Sequence, residues 1–422
     1  MTIIGIDDTD SRERGMCTTY VADTIARRLA DQSATIERLL LVRCNPAVEH
    51  KTRGNAALAI HAQTPADEAF DIAWRVIDEL AEAADDRTNP GLIVSPGDPD
   101  YVPEEVVSFS REAITDHHTR DGARSILDRA GYESHGWKNG RGLIGALAAI
   151  GAWRALDDWT YEHITYREPG RWGTERTVDP ESVFDAADTC YPVVWDTVDR
   201  GTGEAVCVPR TPGPVLYGIR GDSPEGCRLV SKRIESEPID YERTFVTNQG
   251  TDGHLREGTV SSVRTGYAYR LDGTVTSGPE TRRGGHVFFE LSDDRATIDC
   301  VAFEPTKRFR DHVRDLRVGD VLTVCGEVSD GTLKLEKIAV RDRVETEPVT
   351  PTCSACNRRM KSAGRGQGYR CRRCGTSASG KTDEPLHRAL ERGWYEVPPG
   401  ARRHIAKPLV RGGFDAQTHP ER

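Results

Sequence analysis

Residues 3–10 read Ile-Ile-Gly-Ile-Asp-Asp-Thr-Asp, an apolar run that ends abruptly in three carboxylates. The apolar half is typical of a buried strand, and the same character predicts strands at Leu39–Val42, Ala56–Ile60 and Leu92–Val94. Amphipathic stretches with helical spacing separate these runs. Because strands that alternate with helices indicate a layered sheet, we predict an α/β domain over residues 1–157.

The carboxylates Asp7, Asp8 and Asp10 fall where the first predicted strand ends. Ligands of open α/β sheets bind at the carboxyl ends of strands, so the cluster marks a candidate site. Neighbouring carboxylates repel one another unless a cation neutralises them, and Mg²⁺ on substrate phosphates prefers such hard oxygen ligands. A solvated acidic turn has the same pattern, and both interpretations stay open.

Two glycine-containing segments carry candidate phosphate-binding groups. Residues 15–19, Gly-Met-Cys-Thr-Thr, precede a predicted helix, where hydroxyls cap the helix or free N–H groups hold phosphate. Residues 136–145 contain Gly-x-Gly-x-x-Gly, but no strand is predicted immediately before them, which disfavours a dinucleotide site. We expect a phosphate cradle instead, formed by Lys138, Asn139, Gly140, Arg141 and Gly142, together with Arg53 from a basic loop.

Two further domains are predicted from the order of strands and helices. Residues 158–255 follow a split β-α-β pattern of the ferredoxin-like kind. Residues 256–346 are rich in strands, with one helix before the fourth of five. That order predicts a small OB-type barrel, a fold that binds single-stranded nucleic acid.

Four of the eleven cysteines form two Cys-x-x-Cys pairs, Cys353 with Cys356 and Cys371 with Cys374. Two such pairs satisfy tetrahedral zinc and leave no open coordination position, so we predict a structural zinc ribbon over residues 350–382. Residues 375–382 also match the P-loop pattern letter for letter. The polar, basic residues before them disfavour that interpretation, because a P-loop follows an apolar strand.

The net charge of −10 is unevenly distributed. Residues 353–422 hold 15 Lys and Arg against 6 Asp and Glu, so the rest of the chain is strongly acidic. This asymmetry predicts an acidic body with a basic tail for polyanions. Aromatic and basic side chains alternate over residues 383–422 as they do in RNA-binding segments, and the predicted RNA contacts are Trp394, Tyr395, Arg402, Arg403 and Lys407.

A membrane or secreted protein is not expected. The longest nearly apolar run, Leu143–Trp153, is shorter than the roughly 20 residues that span a bilayer, and the N-terminus carries no secretory signal. The paired cysteines are a metal pattern of reducing compartments. We therefore expect a cytoplasmic protein without an obligate protein partner.

Taken together, these motifs resemble those of the archaeal tRNA(Ile) 2-agmatinylcytidine synthetases, over essentially the full chain. The resemblance rests on residues 4–11, 15–19 and 136–145, on Thr247–Asp252, and on the barrel, the four-cysteine ribbon and the C-terminal residues 401–408. One departure is Arg12-Glu13-Arg14, where the family is expected to have a proline and a shorter link.

The resemblance implies a kinase-like α/β domain, a ferredoxin-like domain, an OB-fold barrel and a zinc ribbon. It implies that agmatine is joined to C2 of the wobble cytidine in the CAU anticodon of an isoleucine tRNA, so that AUA codons are read. ATP would be consumed to AMP and two phosphates. Asp7, Asp8 and Asp10 would hold Mg²⁺ and ATP, Thr18 would be autophosphorylated, and the basic tail would bind the tRNA.

Two other functions fit parts of the sequence. A non-catalytic OB-fold and zinc-ribbon protein that binds single-stranded nucleic acid accounts for the C-terminal half alone. Another ATP-dependent RNA kinase or ligase would use the same parts, and its product would be a new phosphate or strand joint instead of a modified base.

Overall fold

The first 155 residues form a three-layer α/β domain in the computed structural model, which describes residues 1–49, 51 and 54–422. In chain order the elements are β1 (Thr2–Asp7), α1 (Thr18–Asp31), β2 (Thr35–Arg43), β3 (Ala56–Gln63), α2 (Ala66–Leu80), β4 (Gly91–Pro96), α3 (Glu104–Ala113), α4 (Arg120–Ala130), β5 (Glu133–Gly136) and α5 (Gly142–Ala155). The four strands predicted from apolar runs are all present.

The strands lie in the order β5-β4-β1-β3-β2, and every neighbouring pair is antiparallel. Alternation along β1 puts Ile4 and Ile6 against α1 and α2, while Ile3 faces α3 and α5. The sequence-based argument that ligands bind at the carboxyl ends of strands holds for parallel sheets, and this part of the sheet is antiparallel. The carboxyl end of β1 nevertheless opens onto a cavity, described below.

The second domain adds four strands to the same sheet. Its elements are β6 (Thr160–Arg167), α6 (Pro180–Cys190), β7 (Val194–Trp195), β8 (Val215–Gly221), α7 (Pro224–Ser231) and β9 (Ile239–Thr247). Their order, β9-β6-β8-β7, is that of a ferredoxin-like fold, which confirms the prediction. Because β9 pairs in parallel with β2, one nine-stranded sheet runs through both domains.

A closed five-stranded barrel follows, as predicted for an OB-fold. After β10 (Arg256–Glu257) come β11 (Tyr267–Thr281), β12 (Val287–Ser292), β13 (Thr297–Ala302), α8 (Phe309–Arg314), β14 (Val321–Ser329) and β15 (Thr332–Asp342). The barrel closes because β14 pairs with both β11 and β15, and β13 pairs with β15. The single helix precedes the fourth strand of the barrel.

The remaining strands are short. They are β16 (Thr346–Val349), β17 (Lys361–Ser362), β18 (Tyr369–Arg370), β19 (Ser377–Ala378), β20 (Thr382–Pro385), β21 (Gly393–Glu396) and β22 (Thr418–His419). Strands β17–β19 form the ribbon around the four cysteines, and β21 extends the barrel by pairing with β15. Residues 375–382 lead into strand β20, so they have no P-loop geometry. Within the described part of the chain, no helix is long and apolar enough to cross a membrane.

Buried His254, in the segment between the second domain and the barrel, makes the contact of that segment with the first domain sensitive to acid. Its Nδ1 lies 3.0 Å from the Ile114 carbonyl oxygen, and burial lowers the pKa of the imidazole to about 4. The unfolded chain takes up this proton near pH 6.5, so the contribution is complete above that pH and is lost as the pH falls toward 4.

We expect this one group to lower the free energy of unfolding by about 3 kcal/mol between pH 6.5 and 4. Urea unfolding across that interval measures it, and the His254→Gln variant should lose correspondingly less stability. His135→Gln, which replaces an exposed imidazole, serves as the control. Equal pH dependence of all three proteins would contradict the assignment.

Candidate active site

A cavity of about 560 Å³ lies where the α/β domain, the ferredoxin-like domain and the barrel meet. Its wall at one end holds the acidic cluster and the start of α1. Arginines from β2 and β8 line it further along, and Thr265 and Gly266, just before β11, contribute from the barrel. A cavity of this size at a domain junction is typical of a binding site for small molecules or for single nucleotides.

The three carboxylates predicted at the end of β1 all line this cavity. Burial and the charge of Asp8 raise the pKa of Asp7 well above its usual range. Asp8 has a left-handed backbone (φ 58°), and its Oδ2 accepts hydrogen bonds from Arg141 Nη2 at 2.9 Å and from the Asn89 N–H at 3.1 Å. These three carboxylates in a partly desolvated site fit a divalent cation, because a cation relieves their mutual repulsion.

Gly145 in α5 leaves the space that the Asp7 carboxylate occupies. A Cβ at this position would overlap Asp7 Oδ2, and the helix backbone cannot move away easily because Gly142 packs against Gly91. Gly145 of the glycine-rich segment therefore makes room for a carboxylate of the protein, not for a phosphate.

The Gly145→Ala variant should separate activity from stability. Alanine stabilises a helix by up to about 1 kcal/mol relative to glycine, whereas its overlap with Asp7 destabilises the fold. The larger of these two effects decides whether the free energy of unfolding rises or falls. We expect ATP-dependent turnover to fall by roughly 10²-fold because the carboxylate is displaced. Steady-state kinetics and thermal unfolding measure the two effects. Gly170→Ala, at an exposed glycine with no atom near the added Cβ and no positive φ, is the control for glycine replacement, and equal turnover of both variants would contradict this role.

The threonine segment lies beside the acidic cluster. Thr18 is the first residue of α1, and its Oγ1 accepts a hydrogen bond from Thr9 Oγ1 at 3.2 Å. The N-cap of α1 is Cys17, whose side chain makes no capping hydrogen bond. The alternative that these hydroxyls cap the helix is therefore not supported, and Thr18 and Thr19 both line the cavity.

Most residues of the predicted phosphate cradle do not line the cavity. Arg141 lines the cavity, but Lys138 Nζ donates to the Asp85 and Thr88 carbonyl oxygens at 2.6 and 2.9 Å. Asn139, Gly140 and Gly142 do not line the cavity, and Arg53 lies outside the described residues. A short strand, β5, does precede the segment, contrary to our expectation. It is an antiparallel edge strand, so it does not create a dinucleotide fold.

The four ribbon cysteines fit a structural zinc ion. Their sulfur atoms all lie within 4.8 Å of one another, and four of the six Sγ–Sγ distances are 3.3–3.5 Å. A disulfide needs about 2.05 Å, whereas zinc at about 2.3 Å from each sulfur places the sulfurs about 3.8 Å apart. Hydrogen bonds from Thr376 lower the pKa of Cys374, whereas the neighbouring thiols raise the pKa of Cys356, so the case for zinc rests on the geometry of the four sulfur atoms.

We expect Cys374→Ser to abolish stoichiometric zinc binding, because three thiolates do not complete the tetrahedral site. Elemental analysis of the purified protein measures this loss. Cys190→Ser changes a lone cysteine of α6 outside the ribbon and should keep its zinc. Full zinc content in the Cys374 variant would contradict the ligand assignment.

The structure corrects the interpretation of the C-terminal segment. Trp394 and Tyr395 are buried in β21, and the Arg402 side chain is only 4% exposed between Asp196 and Glu396, at 2.6 Å from each. Side chains so enclosed cannot stack on bases or reach phosphates, so the prediction that these three contact tRNA is wrong. Residues 383–422 are a strap across the barrel and the ferredoxin-like domain, not a free tail.

The other two predicted tRNA contacts are half-buried. Arg403 pairs with Glu336 and Glu327, and the Lys407 N–H donates to Asp252. Their role in tRNA binding stays a prediction.

Sequence reasoning missed the cavity residues Arg43, Glu162 and Arg220. Arg43 ends β2 and Arg220 lies in β8, where single charged residues in strands gave no motif. Gln249, which hydrogen bonds Glu162 at 2.6 Å, belongs to the quoted segment Thr247–Asp252. That segment was the one available signal for this part of the cavity.

Family models match four successive segments of the chain. Residues 3–64 match the TiaS TCKD domain, 140–254 the TiaS FLD domain, 257–336 an OB-fold nucleic acid binding domain and 350–390 the TiaS C-terminal zinc ribbon domain. The chain is 52% identical to the tRNA(Ile) 2-agmatinylcytidine synthetase TiaS of Haloquadratum walsbyi, with all of both chains covered. The chain belongs to the archaeal tRNA(Ile) 2-agmatinylcytidine synthetase family.

Other members of this family support the assignment. The synthetase of Methanosarcina mazei is 46% identical, with 97% of each chain covered. A crystal structure of TiaS in complex with its isoleucine tRNA and ATP is 42% identical and matches with a TM-score of 0.91, covering 100% of this chain and 99% of that one. A complex of TiaS with the same tRNA, AMPCPP and agmatine is 40% identical with a TM-score of 0.87 and the same coverage. The resemblance seen in the motifs is confirmed.

Proposed function

We propose that this protein joins agmatine to C2 of the wobble cytidine in the CAU anticodon of an isoleucine tRNA, with ATP consumed to AMP and two phosphates. The observation that carries the proposal is similarity over the full chain to the tRNA(Ile) 2-agmatinylcytidine synthetases, including solved complexes with isoleucine tRNA, ATP and agmatine. The modified cytidine pairs with A, so that AUA is read as isoleucine. The reaction takes place in the cytoplasm, where tRNA is modified.

The chemistry requires an activated base. The C2 oxygen of cytosine is a poor leaving group, so it is phosphorylated first, and the agmatine amine then displaces phosphate from C2. The new C–N bond replaces the C–O bond, and the oxygen leaves with the phosphate. A site for this reaction must hold ATP phosphates beside the base and exclude water from the activated carbon.

The acidic end of the cavity suits the ATP step. In this proposal Asp7, Asp8 and Asp10 would hold Mg²⁺, which would supply positive charge to screen ATP phosphates, and Arg141 keeps Asp8 oriented. Thr18 would accept one of the two phosphoryl groups that separate from AMP, and water would release it as free phosphate, while the other phosphoryl group leaves with the C2 oxygen. Thr9 lies between two of the carboxylates in sequence and donates a hydrogen bond to Thr18, so the hydroxyl is held beside the acidic cluster.

The two alternative functions predict different products. With ATP labelled at the α- and γ-phosphates, the synthetase forms AMP and two phosphates only when tRNA and agmatine are both present. A tRNA kinase would transfer the γ-label to RNA and form ADP, and an RNA ligase would form a strand joint without agmatine. A passive OB-fold binder would leave ATP unchanged. Any of these three outcomes in the complete mixture would contradict the proposal.

A further inference from the structure

Two arginines from different halves of the continuous sheet point into the cavity. Arg43 comes from the end of β2, and Arg220 comes from β8. Burial and the charge of Arg220 lower the pKa of Arg43 to about 10, which reports two cations held close together. Such a pair is unfavourable in a partly desolvated site unless an anion lies between or beside them.

The carboxylate beside them is already committed. Glu162 Oε1 pairs with Arg220 Nη2 at 3.0 Å, and Glu162 Oε2 accepts from Gln249 Nε2 at 2.6 Å. Arg43 donates to neutral oxygens, from Nη2 to the Arg403 carbonyl at 3.2 Å and from Nη1 to Gln249 Oε1 at 3.5 Å. Among the described residues, Glu162 is the only carboxylate at ion-pair distance from either guanidinium, while Glu336, which pairs with Arg403, acts on Arg43 from farther away.

The two Nε atoms are closed off from the cavity. Arg43 Nε and Arg220 Nε are buried and find no hydrogen-bond acceptor among the described residues, so a ligand would reach the pair through the terminal nitrogens. Arg43 lines the cavity without a carboxylate at ion-pair distance among the described residues, and the Arg220 side chain beside it is 19% exposed. A guanidinium without a paired carboxylate at the wall of a cavity indicates a site for an anionic ligand.

The C-terminal strap holds this pair in place. His404 Nε2 accepts from Arg220 Nη1 at 3.2 Å, while burial and the charges of Arg220, Arg43 and Arg402 lower the pKa of His404 well below its usual range. The imidazole is therefore neutral and acts as an acceptor. Arg402, enclosed by Asp196 and Glu396, anchors the backbone that carries His404 and the Arg403 carbonyl.

We propose that Arg43 and Arg220 form an anion site for an RNA phosphodiester next to the wobble cytidine, positioned by His404. The proposal rests on the proposed function. Agmatine is excluded as the ligand of this pair because its guanidinium is itself a cation. RNA is favoured over ATP because the acidic cluster provides a separate place for the metal-bound triphosphate. The nucleic-acid-binding barrel also reaches this end, where Asn45 Nδ2 donates to the Gly266 carbonyl at 3.1 Å.

The test combines protein variants with an RNA that lacks one charge. Anticodon stem-loops of the isoleucine tRNA are synthesised with a single neutral methylphosphonate at each phosphate flanking the wobble position, and their binding to the full chain is measured. The protein variant is Arg220→Gln with Glu162→Gln, because removing the arginine alone would leave a buried carboxylate unpaired. Arg129→Gln, at a surface ion pair with Glu105, is the matched control.

We expect the neutral phosphate at one position to weaken binding to the wild-type protein roughly 10-fold. The double variant should weaken binding to the unmodified RNA by a similar factor and show no further loss with the modified RNA. Independent, multiplying losses would overturn the proposal. So would unchanged RNA binding together with a raised KM for ATP, which would assign the site to the nucleotide.

The positioning role of His404 has its own readout. His404→Gln keeps an acceptor for Arg220 and should keep the KM for tRNA, whereas His404→Leu should raise it roughly 10-fold with little change in kcat. Equal KM values for the two variants would overturn the positioning role. Agmatine incorporation by the wild-type protein is assayed in parallel. If it is absent while the RNA-binding result holds, the proposed function fails and the anion site stands.

Discussion

Asp8→Asn is expected to lower ATP-dependent agmatine transfer by roughly 10³-fold. The change keeps the size of the side chain but removes one of the three charges that would hold Mg²⁺ in the proposed ATP site. Arg141 and the Asn89 N–H both donate to Asp8 Oδ2, so the amide oxygen can take that position and keep both hydrogen bonds. The amide NH₂ group then replaces the other carboxylate oxygen, so the charge is lost while the side chain keeps its orientation.

The measurement is AMP formation under saturating tRNA and agmatine. Asp78→Asn, at a carboxylate of α2 that contacts the Trp137 indole, is the matched control and should retain wild-type turnover. Thermal unfolding checks that both variants fold. Turnover of the Asp8 variant within a few-fold of wild type would remove this carboxylate from the ATP site.

Thr18→Val is expected to abolish phosphoprotein formation and to lower overall turnover by at least roughly 10³-fold. Valine has the shape of threonine but lacks the hydroxyl that accepts the phosphoryl group. Protein labelled from γ-labelled ATP, followed by peptide mapping, measures the loss.

Thr9→Val provides a close control for Thr18. It makes the same isosteric change at the hydroxyl that donates to Thr18 Oγ1, but leaves the acceptor hydroxyl in place. We expect this variant to keep its label at Thr18 and to lose much less turnover. Label that persists in the Thr18 variant, or that maps to another residue in the wild type, would contradict the assignment.

Features with a local signature could be predicted from the sequence. The spacing of the four cysteines predicts the ribbon because two Cys-x-x-Cys pairs supply the four ligands of a tetrahedral zinc site, and the position of one helix among five strands predicts the barrel. The acidic run after Ile6 lies in the cavity because an apolar strand that ends in charges must end where solvent or a ligand begins. These arguments depend on neighbours in sequence.

The missed features depend on partners far apart in sequence. Arg402 looks like an RNA contact in a basic, aromatic segment, but Asp196 of another domain and Glu396 enclose it. Trp394 and Tyr395 are both buried because both faces of β21 are covered: Tyr395 packs in the barrel core and Trp394 packs against Leu409. The charges near a guanidinium in sequence do not show which carboxylate it pairs with in the fold. The path of the strap across the barrel and the ferredoxin-like domain could therefore not be predicted.

The glycine-rich segment was also misinterpreted because its partners lie far away in sequence. Its glycines suggested close approach of phosphate, whereas close approach of the protein to itself explains them: Gly142 packs against Gly91, and Gly145 against Asp7. Glycine indicates that something comes near the backbone, but not which group. Lys138 likewise donates hydrogen bonds to backbone carbonyl oxygens, and no sequence motif predicts these partners.

The most direct test of the proposed function is incorporation of labelled agmatine into a transcript of the isoleucine tRNA with a CAU anticodon, in the presence of ATP and Mg²⁺. A methionine tRNA with the same anticodon is the control. We expect label in the isoleucine tRNA alone, at the wobble cytidine. No label with folded, zinc-loaded protein, or equal label in both tRNAs, would contradict the proposed reaction or its substrate.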